Sequence, residues 1–177
     1  MTTFGLREAT PHDADAIERV ILAAFPPDEG PSVARLTREL RADETAQPSL
    51  TLVAQEHDQV VGVILFTAIR IEERPDVVAS ILAPMAVAPE RQRQGIGRQL
   101  IMRGLETLRQ RPVELVLVLG DPEYYGRSGF HTNHTLQAPH PLPYPEAWMA
   151  QELRPGVLGA VTGRVQCART LNAPEHW

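Results

Sequence analysis

The sequence predicts an α+β fold, mixed in its α/β order, in a single domain that covers residues 1–177. Its length falls in the range of about 100–200 residues that is usual for one domain. Hydrophobic residues make up 43% of the chain and charged residues 22%, which is the composition of a globular protein. Apolar β-branched runs alternate with amphipathic helical patterns, and no linker or internal repeat divides them.

The individual elements follow from hydrophobic period and from helix-start and turn residues. Thr10-Pro11 indicates a helix start, because threonine caps a helix and proline fits its first position. Pro84 indicates an edge or a bulge within its strand. The predicted strands are 3–9, 50–55, 59–71, 77–87, 113–119, one that begins at Phe130, and 160–168. The predicted helices are one that begins at Thr10-Pro11, then 33–41, 95–109, 122–128 and 147–153, and residues 138–145 are a proline-rich loop.

Charge and cysteine content exclude several classes of protein. The formal net charge of -5 argues against nucleic-acid binding, which depends on a basic surface. The single cysteine, Cys167, excludes a disulfide framework and a cysteine-rich zinc site, and is expected to be a buried small hydrophobe. The first residues lack the apolar core of a signal peptide, and no apolar run is long enough to span a membrane. We therefore expect a cytoplasmic protein.

The most informative segment runs from the strand that contains Met85, Ala86 and Val87, through a turn, into the predicted helix at residues 95–109. Gly95 and Gly97 have no Cβ, so an anion can approach the main chain there, and the start of a helix offers free N–H groups. The arginines near this turn can pair with phosphates; they are Arg91, Arg93 and Arg98. The segment therefore predicts a pyrophosphate site.

Two other phosphate motifs do not fit the same residues. A Walker loop needs Gly-Lys followed by Ser or Thr, but Gly97 is followed by Arg98-Gln99. A dinucleotide-binding turn needs a third glycine, where this chain has Leu100. What remains is Gln92-x-x-Gly95-x-Gly97 after a strand, and this pattern resembles the acetyl-CoA-binding motif of the GNAT superfamily of N-acyltransferases.

A second segment strengthens this resemblance. Tyr124-Tyr125-Gly126-Arg127-Ser128-Gly129-Phe130 resembles the Tyr-x-x-x-Gly-Phe segment that follows the fifth strand in the superfamily. Residues 82–130 together are most similar to the YhbS-like subgroup of predicted acetyltransferases. The resemblance implies a central twisted mixed sheet of six to seven strands flanked by about four helices. It also implies that the fourth and fifth strands splay apart.

The resemblance further implies an acyltransferase (EC 2.3.1.-) that moves the acetyl group of acetyl-CoA to a primary amine of a small molecule or protein. Tyr125 would act as general acid on the departing thiolate. No metal is implied, and a homodimer is compatible with the family. The residues implied to contact the cosubstrate are Met85, Ala86 and Val87 along the pantetheine, and Gln92, Arg93, Gln94, Gly95, Ile96, Gly97 and Arg98 around the pyrophosphate.

Several alternatives remain open at this stage. Tyr124 could serve in place of Tyr125, and the chain could be a non-catalytic acetyl-CoA sensor or partner domain. His131 and His134 do not suggest a metal site, because residues three apart on a strand point to opposite faces. No general base is assigned; the candidates are Glu72, Glu73, Asp121, Glu123 and the histidines.

Overall fold

The computed structural model describes residues 3–177 and shows a mixed sheet with four helices, as the sequence predicted. The strands are β1 (Gly5–Glu8), β2 (Leu50–Glu56), β3 (Gln59–Ile71), β4 (Ala79–Val87), β5 (Leu115–Leu119), β6 (Thr135–Gln137), β7 (Trp148–Glu152) and β8 (Thr162–Gln166). The helices are α1 (Ala14–Ala24), α2 (Gly30–Ala42), α3 (Ile96–Gln110) and α4 (Pro122–Gly126). The described residues thus form eight strands, one more than the upper figure of the prediction. None of the helices in this part of the chain is long and apolar enough to cross a membrane.

The strands are arranged in the order β1-β2-β3-β4-β5-β7. Neighbours from β1 to β4 are antiparallel, β4 and β5 are parallel, and β7 runs antiparallel to β5. The short strand β8 pairs with the end of β3 at Arg70 and Ile71, and β6 pairs with β8. Helix α3 connects the two parallel strands, so its first residues follow directly from the end of β4.

Helices cover both faces of the sheet. Helix α3 buries the stripe predicted from its sequence, which consists of Leu100, Ile101, Gly104, Leu105 and Leu108. This stripe shares one hydrophobic cluster with side chains of β2, β3 and β5, and Gly104 lies against the ring of Phe66. Helices α1 and α2 contribute to clusters on the opposite face. Because α3 is packed along its length, its start is held firmly against the end of β4.

Strand β4 is interrupted at Pro84, where the sequence predicted an edge or bulge. Ile64 pairs with Met85 and Phe66 pairs with Leu82, so two residues of β4 oppose the single residue Leu65. That arrangement is a β-bulge. The pairing of β4 with β5 extends only from Ala79–Leu115 to Leu82–Val118. Beyond Leu82, β4 therefore has no strand partner on its β5 side within residues 3–177, which opens the sheet at this point.

Two predictions in the C-terminal third are wrong. No strand begins at Phe130; its side chain is buried, its N–H donates to the carbonyl of Tyr125, and only His131 forms an isolated bridge, with Ala150. Residues 147–153 are not a helix, because Trp148–Glu152 pairs along the whole of β5 as β7. The exposed edge of β5 offers a full set of backbone hydrogen bonds, and this tertiary pairing outweighs the local helical pattern.

Candidate active site

A cleft of about 580 Å³ lies where β4 ends and α3 begins, with α4 on its far side. This size is typical of a small-molecule site. The cleft is lined by Met85, Ala86, Val87, Arg91, Gln92, Arg93, Gly95, Ile96, Gly97, Arg98, Tyr124 and Arg127. All but one of the residues predicted to contact acetyl-CoA are in this group. The remaining one, Gln94, lies in the same turn, where its side-chain amide donates to the carbonyl of Glu90 (3.2 Å).

The backbone amides from Arg93 to Arg98 form the floor of the turn. The first helical hydrogen bond of α3 runs from the N–H of Gln99 to the carbonyl of Gly95 (3.0 Å). Within the described chain, none of the six N–H groups before Gln99, from Arg93 onwards, donates to a backbone carbonyl or side-chain acceptor. Unpaired amides at a helix start, together with the helix dipole, attract an anion.

The conformation of this turn depends on two residues with positive φ. Arg93 has φ 62° and Gly95 has φ 85°, and Gly95 is the residue that precedes α3. The left-handed region is costly for most residues but accessible to glycine, so Gly95 fits its position. Gly97 has a different role, because a Cβ there would overlap the hydroxyl of Tyr124. Glycine at position 97 thus keeps the main chain open to the cleft.

Gln92 positions the turn through its side chain. Its Nε2 donates to the carbonyl of Val87 at 3.0 Å, which ties the turn to the last residue of β4. Arg91 adds a second tie, because its Nε donates to Oε2 of Glu56 at 2.6 Å, and Glu56 is buried at the end of β2. Glu56 was not identified from the sequence, since it lies 35 positions from Arg91 and no motif connects them.

The four arginines of the cleft fall into two groups. Arg91 is paired with Glu56, and Arg127 is paired with Glu123 at 2.9 Å. Arg93 and Arg98 are exposed and form no ion pair with any carboxylate in residues 3–177. Two cations therefore stand free beside the unpaired amides, a combination that suits a doubly charged phosphate ligand.

Of the two tyrosines of α4, Tyr124 lines the cleft, whereas Tyr125 is not among the lining residues. Tyr124 is exposed, and its hydroxyl lies over Gly97. Tyr125 is more deeply placed: its ring packs over Gly120 at the end of β5 and meets Phe130 edge-on, with ring centroids 5.9 Å apart. Burial raises the pKa of both phenols, that of Tyr125 more strongly. Both phenols therefore stay protonated at neutral pH.

The hydroxyl of Tyr125 has no hydrogen-bond partner in the described chain, yet it is not among the enclosed polar atoms. The buried side-chain atoms that lack a partner there are Thr67 Oγ1 and Gln151 Oε1. The Tyr125 hydroxyl is therefore open to solvent or to a ligand while its ring is held in place. The register of the sequence motif favours Tyr125 over its neighbour Tyr124, and this choice stays a prediction.

The structure separates the carboxylates considered as general bases. Glu72 and Glu73 follow β3 at the end that pairs with the start of β4. At about 3.3 Å per residue, roughly 20 Å of strand lies between the start of β4 and Met85. Asp121 accepts from the N–H of Glu123 at the start of α4, and Glu123 is paired with Arg127. None of these four carboxylates lines the cleft.

The side chain of His134 forms hydrogen bonds to the main chain through both ring nitrogens. Its Nδ1 accepts from the N–H of Leu136 (3.2 Å), so its Nε2 donates to the carbonyl of Trp148 (3.0 Å). Burial lowers the pKa of His134, which favours this neutral form. With both ring nitrogens occupied, His134 has no lone pair left for a metal. Residues 3–177 contain no group of three or more metal-ligating side chains.

Known proteins are similar to this chain in sequence and in fold. A family model described as an acetyltransferase (GNAT) domain matches residues 5–132. Two uncharacterized N-acetyltransferases of Escherichia coli K12 are similar in sequence. YjhQ is 39% identical over 141 residues, which are 76% of this chain and 77% of YjhQ. YhbS is 32% identical over 164 residues, which are 91% of this chain and 94% of YhbS.

Solved structures agree with these sequence matches. The crystal structure of the GNAT family N-acetyltransferase YhbS from Escherichia coli in complex with CoA superposes with a TM-score of 0.89 and 29% identity, covering 98% of this chain and 94% of that one. A GNAT family acetyltransferase from Brucella melitensis in complex with acetyl-CoA gives a TM-score of 0.78 at 29% identity, covering 97% and 99%.

Proposed function

The chain belongs to the GNAT acetyltransferase family, and we propose that its cleft binds acetyl-CoA and that it transfers the acetyl group to a primary amine by direct attack. Tyr125 is the proposed general acid. Met85, Ala86 and Val87 would align the pantetheine, and the turn from Gln92 to Arg98 would hold the pyrophosphate.

The observation that carries this proposal is the row of unpaired amides from Arg93 to Arg98. These six donors have no partner in the described chain, and two of them belong to the buried residues Ile96 and Gly97, so one anion could accept from several of them together. Arg93 and Arg98 add free positive charge beside the same donors, which favours a pyrophosphate. The crystallised relatives that bind CoA or acetyl-CoA share the fold over nearly their whole length, which supports the same ligand here.

The pantetheine would lie along the free side of β4. Met85, Ala86 and Val87 pair with Ile64, Val63 and Gly62 of β3 on their other side. A pantetheine arm carries amides of its own, so it can add to this edge in the way that a peptide adds a strand. A backbone N–H there would also stabilise the negative charge that develops on the thioester oxygen.

In the proposed acetyl transfer, every bond change and proton movement can be assigned to a named group. A neutral amine attacks the thioester carbon, so an N–C bond forms as the C–S bond breaks. The amine loses one proton to solvent or to a nearby base, and the thiolate gains one from the phenol of Tyr125. Tyr125 would supply this proton because its phenol is protonated at neutral pH, its ring packs against Phe130 and its hydroxyl has no hydrogen-bond partner in the described chain. Holding amine and thioester together supplies much of the acceleration.

The test is to measure CoA binding by calorimetry and CoA release with a panel of primary amines. We expect tight CoA binding, no comparable ATP binding, and CoA release well above hydrolysis with at least one amine. The chain has 17 arginines and no lysine, so it has no lysine side chain that could itself accept acetyl groups. Binding without amine-dependent release would instead support a non-catalytic acetyl-CoA sensor, and absence of CoA binding would overturn the proposal.

A further inference from the structure

A second pocket, of about 410 Å³, lies on the face of the sheet opposite α3. Its walls come from the start of α2, from the middle of β4, from the last residue of β5 and from the C-terminal segment. The lining residues are Glu29, Ser32, Val33, Leu36, Ile81, Leu82, Ala83, Leu119, Leu171, Glu175, His176 and Trp177. No motif led to this pocket, because its residues come from four separate stretches of the chain.

This pocket and the cofactor cleft both lie beside the break between β4 and β5, although they share no lining residue. Leu82 is the last residue of β4 that pairs with β5, and it packs in the cluster on the α3 face. Its neighbour Ala83 packs in the cluster on the opposite face. The next residues of β4, from Met85 on, line the cofactor cleft. An acceptor in the second pocket would therefore reach the thioester from the other side of the sheet.

The floor and the rim of the second pocket differ in polarity. The floor is formed by Ile81 and Leu82, which are buried, and by half-buried Val33 and Leu36. The aromatic wall is Trp177, which stacks edge-on against buried Trp148 with ring centroids 5.5 Å apart. Such a floor favours an uncharged amine, which is the form that can attack an acyl group.

The rim is acidic. Glu29 forms no ion pair with any side chain in residues 3–177. Glu175 lies near His176, with Oε1 and Nε2 3.7 Å apart, and close enough to Arg35 to interact with it electrostatically. No arginine lines the pocket. The nearest cation on α2, Arg35, is already held by Glu39 at 2.9 Å. The rim can thus pair with a positive charge at the far end of a ligand.

We propose that this pocket holds the acceptor, and that the acceptor is a small aliphatic diamine or polyamine. One neutral amine would react at the apolar floor while a second, protonated amine pairs with Glu29 and Glu175 at the rim. The inference deepens the proposed acetyl transfer and rests on it.

The test compares three acceptors of equal length and different far-end charge: 1,5-diaminopentane, pentylamine and 5-aminopentanoate. We expect kcat/KM to fall in that order. An exposed ion pair contributes about 0.2–1 kcal/mol, so we expect each of Glu29→Gln and Glu175→Gln to lower the diamine preference about 1.4- to fivefold. Asp58→Asn, which removes the same charge from the β2–β3 turn, should leave the preference unchanged.

A second variant tests the location independently of charge. Leu36→Trp fills the pocket from α2 and should raise the KM for every amine, while CoA affinity measured by calorimetry stays within about twofold of the parent. Equal rates for the three acceptors, or preference for a lysine-containing peptide with neutral flanks, would overturn the diamine assignment while acetyl transfer stands. If no amine is acetylated although CoA binds, acetyl transfer itself fails.

Discussion

The cofactor cleft and the acceptor pocket are built from different parts of the polypeptide. The cleft is made largely of main chain: its donors are the amides from Arg93 to Arg98, set by a turn with two positive φ angles. The pocket is made of side chains that come from α2, the middle of β4, the end of β5 and the C-terminal segment. Backbone N–H donors are kept by any substitution that preserves the conformation of the turn. In the pocket, by contrast, each substitution changes a side chain that contacts the ligand. We therefore expect the cleft to be robust and the pocket to set specificity.

The largest effect is expected for Gly97→Asp, which places a side chain and a negative charge in the main-chain site. A Cβ at position 97 already overlaps the Tyr124 hydroxyl, and the carboxylate would repel phosphates. We expect CoA affinity to fall at least about 100-fold, or about 3 kcal/mol. Calorimetric titration measures this, with circular dichroism to confirm folding. Unchanged affinity in a folded variant would show that the turn does not bind the cosubstrate.

Tyr125→Phe separates chemistry from binding. Loss of the general acid should lower kcat about 100-fold while CoA affinity stays within about twofold. Tyr124→Phe is the matched control, and full activity of Tyr125→Phe with loss in Tyr124→Phe would assign the role to Tyr124. Because burial raises the pKa of the Tyr125 phenol, its hydroxyl stays protonated at every pH below the ordinary tyrosine pKa of about 10. Deprotonation of Tyr125 should therefore cause no fall in kcat between pH 7 and about 10.

Arg98→Gln sharpens the contrast between main-chain and side-chain contributions. If the backbone amides supply most of the binding free energy, removal of one exposed guanidinium should weaken CoA binding only about three- to tenfold, and by less at high salt. Arg169→Gln, far from the cleft, is the control for the change in net charge. A loss as large as that of Gly97→Asp would mean that side chains, and not the backbone, dominate the cleft.

The smallest effect is expected for Cys167→Ala. Burial raises the pKa of this thiol to about 12, so it stays protonated at neutral pH. Cys167 follows β8, which pairs with the end of β3 that is remote from the cleft. We expect kcat/KM within about twofold of the parent. A folded, CoA-binding but inactive variant would favour an acyl-cysteine route over direct attack.

The parts predictable from sequence are those governed by local chemistry. The strand Gln59–Ile71 was predicted with its observed bounds, and α3 to within one residue at each end, because both have strong hydrophobic patterns. The turn at Gly95 and Gly97 was predicted because glycine is needed where the backbone is unusual or closely approached. These features depend on neighbours in sequence.

The remaining parts depend on contacts between distant residues. Trp148–Glu152 is a strand because the edge of β5 is available to it, which no local pattern reveals. The pairing of Glu56 with Arg91 also joins residues that are distant in sequence. The pocket lined by Leu36, Leu171 and Trp177 likewise has no sequence signature. Specificity is thus harder to predict than cosubstrate binding in this fold.

The bulge at Pro84 and the end of β4–β5 pairing at Leu82 have a kinetic consequence. With acetyl-CoA proposed on one face of the open sheet and the amine acceptor on the other, either ligand could leave without displacing the other. Neither product would block the exit of its counterpart, so the architecture sets no compulsory sequence of release. Product-inhibition patterns would then reflect relative affinities alone.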